Sequence, residues 1–169
     1  VAAGCSATHW QKNKLWSNIP IDLIISNINK EYLVTLLKKR FCIPSVPIQL
    51  DQLNEAGDDK FLLSGRVMIK IQDGCHRFCT YCIVPYLRGA PKSRKISEII
   101  TNIASYNDYK PSIKEVVYTA INTESFGKDT KESLIQLIDV SIHRTNIHRI
   151  SFGSIHPWSM DNEFIKYYR

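Results

Sequence analysis

Several things this chain lacks narrow it before any motif is read. No apolar run approaches the length of a membrane span, so no spanning helix and no membrane partner is expected. No signal segment is recognisable and the cysteines number five, an odd count, which argues against a disulfide-stapled secreted domain. Neither Cys5 nor Cys42 forms a pair of its own, so the two separated pairs of a structural zinc site are missing. Between Gly74 and Ser97 there is no acidic residue, while Arg77, Arg88, Lys92, Arg94 and Lys95 all fall there. The chain opens on Val1 rather than methionine, which leads to the expectation of a fragment.

What is present is enough for one ordinary domain, or one and a piece: 169 residues, 44% of them hydrophobic, with a net charge of +6. The organising stretch is Asp73-Gly74-Cys75-His76-Arg77-Phe78-Cys79-Thr80-Tyr81-Cys82, which holds three of the five cysteines. The run before it, Val67-Met68-Ile69-Lys70-Ile71-Gln72, alternates apolar and polar and predicts a strand. The cysteines therefore occupy the loop leaving a strand, and Gly74 allows the sharp turn such a loop needs. Structural zinc and the clusters of electron carriers take four protein ligands. Three cysteines on a four-iron cluster would leave one iron open to a substrate or cofactor, a catalytic arrangement. Structural zinc lacking a fourth ligand, or thiols that merely pack, are the competing readings.

In chain order, Val1-Ala2-Ala3-Gly4-Cys5 reads as a strand end broken at glycine, Ile21–Ile25 as a short strand, and residues 30–39 as an amphipathic helix through Tyr32, Leu33, Leu36 and Leu37. Residues 46–60, rich in turn formers and acidic side chains, read as a linker between a piece over 1–45 and a domain over 61–169. After the cysteine loop, Ser93 is the expected cap of a helix striped by Ile96, Ile99, Ile100, Ile103 and Tyr106. Glu115–Thr119 predicts a strand, Leu134, Ile135, Ile138 and Ile142 a second helix, and Arg149–Phe152 a further strand. This alternation predicts an α/β fold with a parallel sheet.

Cys75-x3-Cys79-x2-Cys82 with Tyr81 before the last cysteine resembles the signature of radical S-adenosylmethionine (SAM) enzymes. The longer string through Ile83-Val84-Pro85-Tyr86 and Arg88-Gly89 resembles one branch, the methylthiotransferases. The resemblance implies a C-terminal piece of an α/β N-terminal domain, followed by the first half of a partial (βα)6 barrel with its chemistry at the carboxyl ends of the strands. It implies a 4Fe-4S cluster on Cys75, Cys79 and Cys82, and Cys5 as the last of three ligands to an auxiliary 4Fe-4S cluster. Tyr81, Ala120, Asn122 and Ser154 would lie against SAM; Ala120 stands where the family has glycine. Arg88, Lys92 and Arg94 would meet a phosphate backbone, although a basic run is commonly just a solvated face.

The reaction so implied replaces a carbon-bound hydrogen by a methylthio group in two stages, a SAM-derived radical first and sulfur delivery second. The string Thr119-Ala120-Ile121-Asn122 with Ser125–Asp129 most resembles the branch acting on threonylcarbamoyladenosine beside the tRNA anticodon. Isopentenyladenosine in tRNA and an aspartate of a ribosomal protein are the other substrates the family offers. The implied setting is cytoplasmic, with tRNA and an electron donor such as flavodoxin or ferredoxin as partners. From another class, a truncated chain could bind metal or nucleic acid without catalysis. A half barrel would also expose apolar surface and fold poorly alone.

Overall fold

The computed structural model describes residues 1–15, 17–43, 65–109 and 113–168. The linker expected at 46–60, the apolar Phe61-Leu62-Leu63 and Pro111 lie outside them. The described residues of Val1–Leu50 with Arg77–Gly89 make one compact body, and those of Asp51–His76 with Ala90–Arg169 a second. Among the described residues no helix is long and apolar enough to cross a membrane.

In the first body, β1 (Ala2–Gly4) pairs parallel with β2 (Ile24–Ser26), Ala3 opposite Ile25. Helix α1 (Cys5–Asn13) starts directly after Gly4 and carries the chain between them. The sequence pattern gave no sign of α1, because Cys5–Asn13 has only a weak apolar stripe. Its attachment is polar instead: the buried Thr8 hydroxyl donates to the Gly4 carbonyl at 2.8 Å and accepts from the Asn27 amide at 2.7 Å. Ala7 and Ile25 close the small core beneath. The helix expected over 30–39 begins as a 3-10 turn (Asn27–Tyr32) and becomes α2 (Leu33–Phe41). Leu33, Leu36 and Leu37 are half-buried, whereas Tyr32 is exposed. Helix α3 (Val84–Arg88) follows the last cysteine, and the Lys12 ammonium of α1 donates to its Tyr86 carbonyl at 2.7 Å.

The second body is a sheet of order β4-β3-β5-β6, with β3 (Arg66–Asp73), β4 (Lys92–Ser93), β5 (Glu115–Ala120) and β6 (Arg149–Phe152). The pairs β3–β5 and β5–β6 are parallel, as the alternation of elements predicts, but β4 is antiparallel to β3 through Gln72 opposite Ser93. A two-residue edge strand leaves no periodicity to read, and this corrects the expectation of a wholly parallel sheet. Helices α4 (Ile96–Tyr109), α5 (Leu134–Arg144) and α6 (Asn162–Tyr168) complete the body. Val67, Ile69 and Ile71 from β3 meet Ile99 and Ile103 from α4, Val116 and Tyr118 from β5, and Leu137 from α5 in one core.

Two helix readings change. Ser93 does not cap α4; it lies in β4, where its hydroxyl accepts from the Gly127 amide at 2.9 Å. The cap comes from 36 residues downstream, where the Glu132 carboxylate accepts from the Ile96 amide at 3.1 and 3.3 Å. In α5 the buried face runs through Leu137, Ile138 and Ser141, leaving Ile142 exposed. Helix α5 begins with a capping box, Ser133 and Gln136 each bonding the other's backbone amide.

Candidate functional site

The site begins where β3 ends. Along β3 every second residue is buried until Ile71, after which Gln72 is buried as well. The register with β5 shifts there, Lys70 facing Thr119 and Gln72 facing Ala120, so β3 spends one extra residue. Such a bulge re-aims the side chain that follows it. The Asp73 carboxylate then accepts from the Gly74 amide at 2.8 Å and from the Lys70 ammonium at 2.6 Å. Gly74 turns the chain at φ 77, a conformation costly for any residue with a Cβ, and Cys75 follows half-buried.

Cys79 and Cys82 belong to the first body, as does Cys5. Phe78 sits in left-handed backbone at φ 48 and its ring meets Tyr86 edge-on, centroids 5.5 Å apart. The Cys82 amide donates to the Cys79 carbonyl at 2.9 Å, closing a tight turn that leaves Tyr81 88% exposed. Cys5 is the first residue of α1. Cys5, Cys75, Cys79 and Cys82 are half-buried, while Cys42 is exposed. Among the described residues no three His, Cys, Asp or Glu side chains gather tightly enough for a single metal ion. Thiolates are the donor type that iron-sulfur clusters take, with each ligand on a different iron.

At the carboxyl end of β5 lies a second group. Ala120 ends the strand without positive φ, so its methyl group introduces no backbone strain. Asn122 is buried; its amide nitrogen donates to the Ser125 hydroxyl at 2.9 Å, and its Oδ1 has no hydrogen-bond partner among the described residues. An orphaned buried acceptor is rare in folded proteins and marks a place for a donor. After β6, Ser154 is exposed, and His156 stacks on Trp158 at 4.7 Å with its Nδ1 buried and unpartnered.

The basic residues divide. Arg88 ends α3 in the first body. In the second, Lys92 is exposed on β4, whereas Arg94 reaches the Lys70 carbonyl at 3.4 Å and lies 3.9 Å from Glu98. The Asp129 carboxylate accepts from the Ser93 amide at 2.9 Å. Burial alone would raise its pKa, but hydrogen bonds from Ser93 and nearby backbone outweigh that and hold it below the usual value. Sequence reasoning missed Gln72, Asp129 and Glu132. Gln72 carries no signal because alternation assigns it the outer face, and the carboxylates act across the loop after β5.

No protein-family model matches the chain. It is 32% identical over 169 residues to a tRNA-2-methylthio-N(6)-dimethylallyladenosine synthase of Petrotoga mobilis, covering 96% of this chain and 38% of that protein. It is 45% identical over 91 residues to the protein of the same name from Thermosipho melanesiensis, covering 53% of this chain and 21% of that one. A third, from Rickettsia rickettsii, is 28% identical over 178 residues, 99% of this chain and 39% of the relative. The chain thus spans about two-fifths or less of the length of these relatives. With three thiols on the loop leaving β3 and likeness of this extent, the chain belongs to the methylthiotransferase family.

Proposed function

We propose that this chain is part of a radical SAM enzyme that adds a methylthio group to an N6-modified adenosine of tRNA. The observation that carries this reading is the unpaired, buried Oδ1 of Asn122 at the end of β5, beside the strand that launches the cysteines. Cys75, Cys79 and Cys82 would hold a 4Fe-4S cluster with one open iron, and Cys5 would contribute to an auxiliary cluster with ligands from elsewhere. The bound cluster and SAM together supply the radical that removes a hydrogen no side-chain acid or base can take. The chain's own residues bind and orient. Asn122 offers its acceptor to an ammonium group, Ala120 and Ser154 border the same strand ends, and Tyr81 presents its exposed ring to an adenine. Arg88, Lys92 and Arg94 face phosphates.

The parallel run β3-β5-β6 supports reading 61–169 as the first half of a partial (βα)6 barrel, after an N-terminal piece over 1–45 and a linker over 46–60. The substrate follows two lines. The relatives are named for dimethylallyladenosine, which favours that nucleoside, while the string Thr119–Asn122 favours threonylcarbamoyladenosine. An electron donor such as flavodoxin or ferredoxin is part of the proposal.

The test is anaerobic reconstitution of the full-length protein with iron and sulfide, followed by electron paramagnetic resonance with and without SAM, and nucleoside mass spectrometry of tRNA incubated with it. Wild type should bind about four irons at this site with a spectrum that SAM perturbs, and Cys79→Ala should lose it. A 2-methylthio product on either nucleoside identifies the substrate. Stoichiometric zinc, or a Cys79→Ala spectrum equal to wild type, overturns the radical reading.

A further inference from the structure

Gln72 is 1% exposed, and all four of its side-chain hydrogen bonds go to backbone at the ends of two strands. Its Nε2 donates to the carbonyls of Asp73 and Gly74, both at 2.8 Å. Its Oε1 accepts from the amides of Ile121 at 3.1 Å and Asn122 at 3.0 Å. Those are two donated and two accepted bonds, the full capacity of a primary amide. Only this side chain type meets two carbonyls and two amides at once at that reach. Leucine or methionine would fill the volume and leave four buried groups unpaired, and glutamate would set a carboxylate against two carbonyls.

The placement depends on the bulge. Without the extra residue between Lys70 and Gln72, alternation would turn Gln72 to the outer face with Lys70 and Met68. With it, Gln72 reaches the Gly74 carbonyl one residue before Cys75 and also the peptide that carries Asn122. We propose that Gln72 is a positioning residue: it fixes the departure point of the cysteine loop against the loop after β5, so that Cys75 and the Asn122 acceptor keep one relative position. This rests on the reading of Cys75 as a cluster ligand and Asn122 as a cofactor contact.

The experiment compares wild type, Gln72→Met and Gln72→Glu in the full-length protein without cluster. Amide hydrogen exchange is followed at Ile121 and Asn122, and alkylation by iodoacetamide at Cys75, with exposed Cys42 as the internal standard. In Gln72→Met, exchange at both amides should rise roughly tenfold per lost bond, with Cys75 alkylation faster than wild type and Leu137 exchange unchanged. Gln72→Glu keeps the acceptor, so Ile121 and Asn122 should stay slow while Cys75 alone becomes more reactive. That split separates positioning from a general loss of stability. Folded variants with rates within about twofold of wild type at all three sites overturn the proposal. So does failure of both variants to fold, which would make Gln72 a determinant of the sheet; if only Gln72→Met fails, the Gln72→Glu split decides. Iron loading of wild type is read separately. If wild type takes no cluster but the exchange pattern holds, the radical reading fails and the positioning role stands; a loaded wild type with unchanged exchange gives the reverse.

Discussion

Replacing Glu132 by alanine removes the N-terminal cap of α4 without touching the helix itself. The residues ahead of Ile96 are Arg94 and Lys95, which have no acceptor to offer, and Ser93 is held in β4 by Gly127. Glu132 supplies both oxygens to the Ile96 amide and also accepts from the Thr130 hydroxyl at 2.8 Å. A hydrogen bond to a charged group contributes about 1.5–3 kcal/mol, and a negative charge at a helix N-terminus about 0.3–1 kcal/mol. Glu132 is only half-buried, so water recovers part of this, and Glu132→Ala should cost about 2 kcal/mol. Glu132→Gln keeps an acceptor and loses the charge, so about half that loss is expected. Urea unfolding at pH 7 reads both, with an unchanged slope showing that the unfolded state is not altered. A Glu132→Ala protein within about 0.5 kcal/mol of wild type would refute the cap. Equal losses in the two variants would show that the charge, not the shape or a neutral acceptor, holds Ile96.

Burial pushes the Tyr118 phenol up to about 12 from 10.0, a shift that the hydrogen bond with Ser141 opposes. The folded state holds this proton more tightly than the unfolded one, so the stabilisation is complete below pH 10 and lost as pH rises toward about 12. The loss should be about 2–3 kcal/mol, and Tyr118→Phe should flatten that part of the stability profile. An equally steep alkaline limb in Tyr118→Phe would exclude Tyr118 as its source. Gly127 has φ +80, and a Cβ there would lie 2.1 Å from the Glu132 carbonyl oxygen. Gly127→Ala should therefore lose more than about 2 kcal/mol by thermal or urea unfolding, and a change under about 0.5 kcal/mol would contradict the close approach.

What the sequence made legible was whatever lies within one element. Val67, Ile69 and Ile71 announce β3 because a half-buried strand must alternate, and they are buried as expected. Arg149–Phe152 is a strand to the residue. Ile96, Ile99 and Ile103 face the core of α4 because helical periodicity leaves them no other side. What failed is whatever depends on a partner elsewhere in the chain. Ser93 is a sound cap by type and position, but it is drawn into an edge strand by Gly127 and Asp129, which arrive from a loop more than 30 residues away. Helix α1 escapes notice because it is fastened by Thr8 and not by an apolar stripe.

The candidate site divides along the same line. The three cysteines were legible as a candidate site because their spacing is written in the chain; the groups that hold the backbone around Cys75 were not. Gln72 ends the strand run that leads into the cysteine stretch, yet alternation assigns it to solvent, and only a bulge reverses that. Phe78 gives no hint that it adopts φ 48. For a bulky residue that conformation costs on the order of 1–2 kcal/mol, a cost the fold bears only where neighbouring contacts over-determine the backbone. The Phe78 and Tyr86 rings supply one such contact within the same body. Gln72 holds the Gly74 carbonyl, so Cys75 leaves β3 from a fixed point in the second body, while strained backbone at Phe78 restrains the turn that carries Cys79 and Cys82 in the first. On the proposed reading of these cysteines as ligands, restraint of this kind lowers the freedom lost when a metal group binds, a physical reason to place hydrogen bonds and strain beside them.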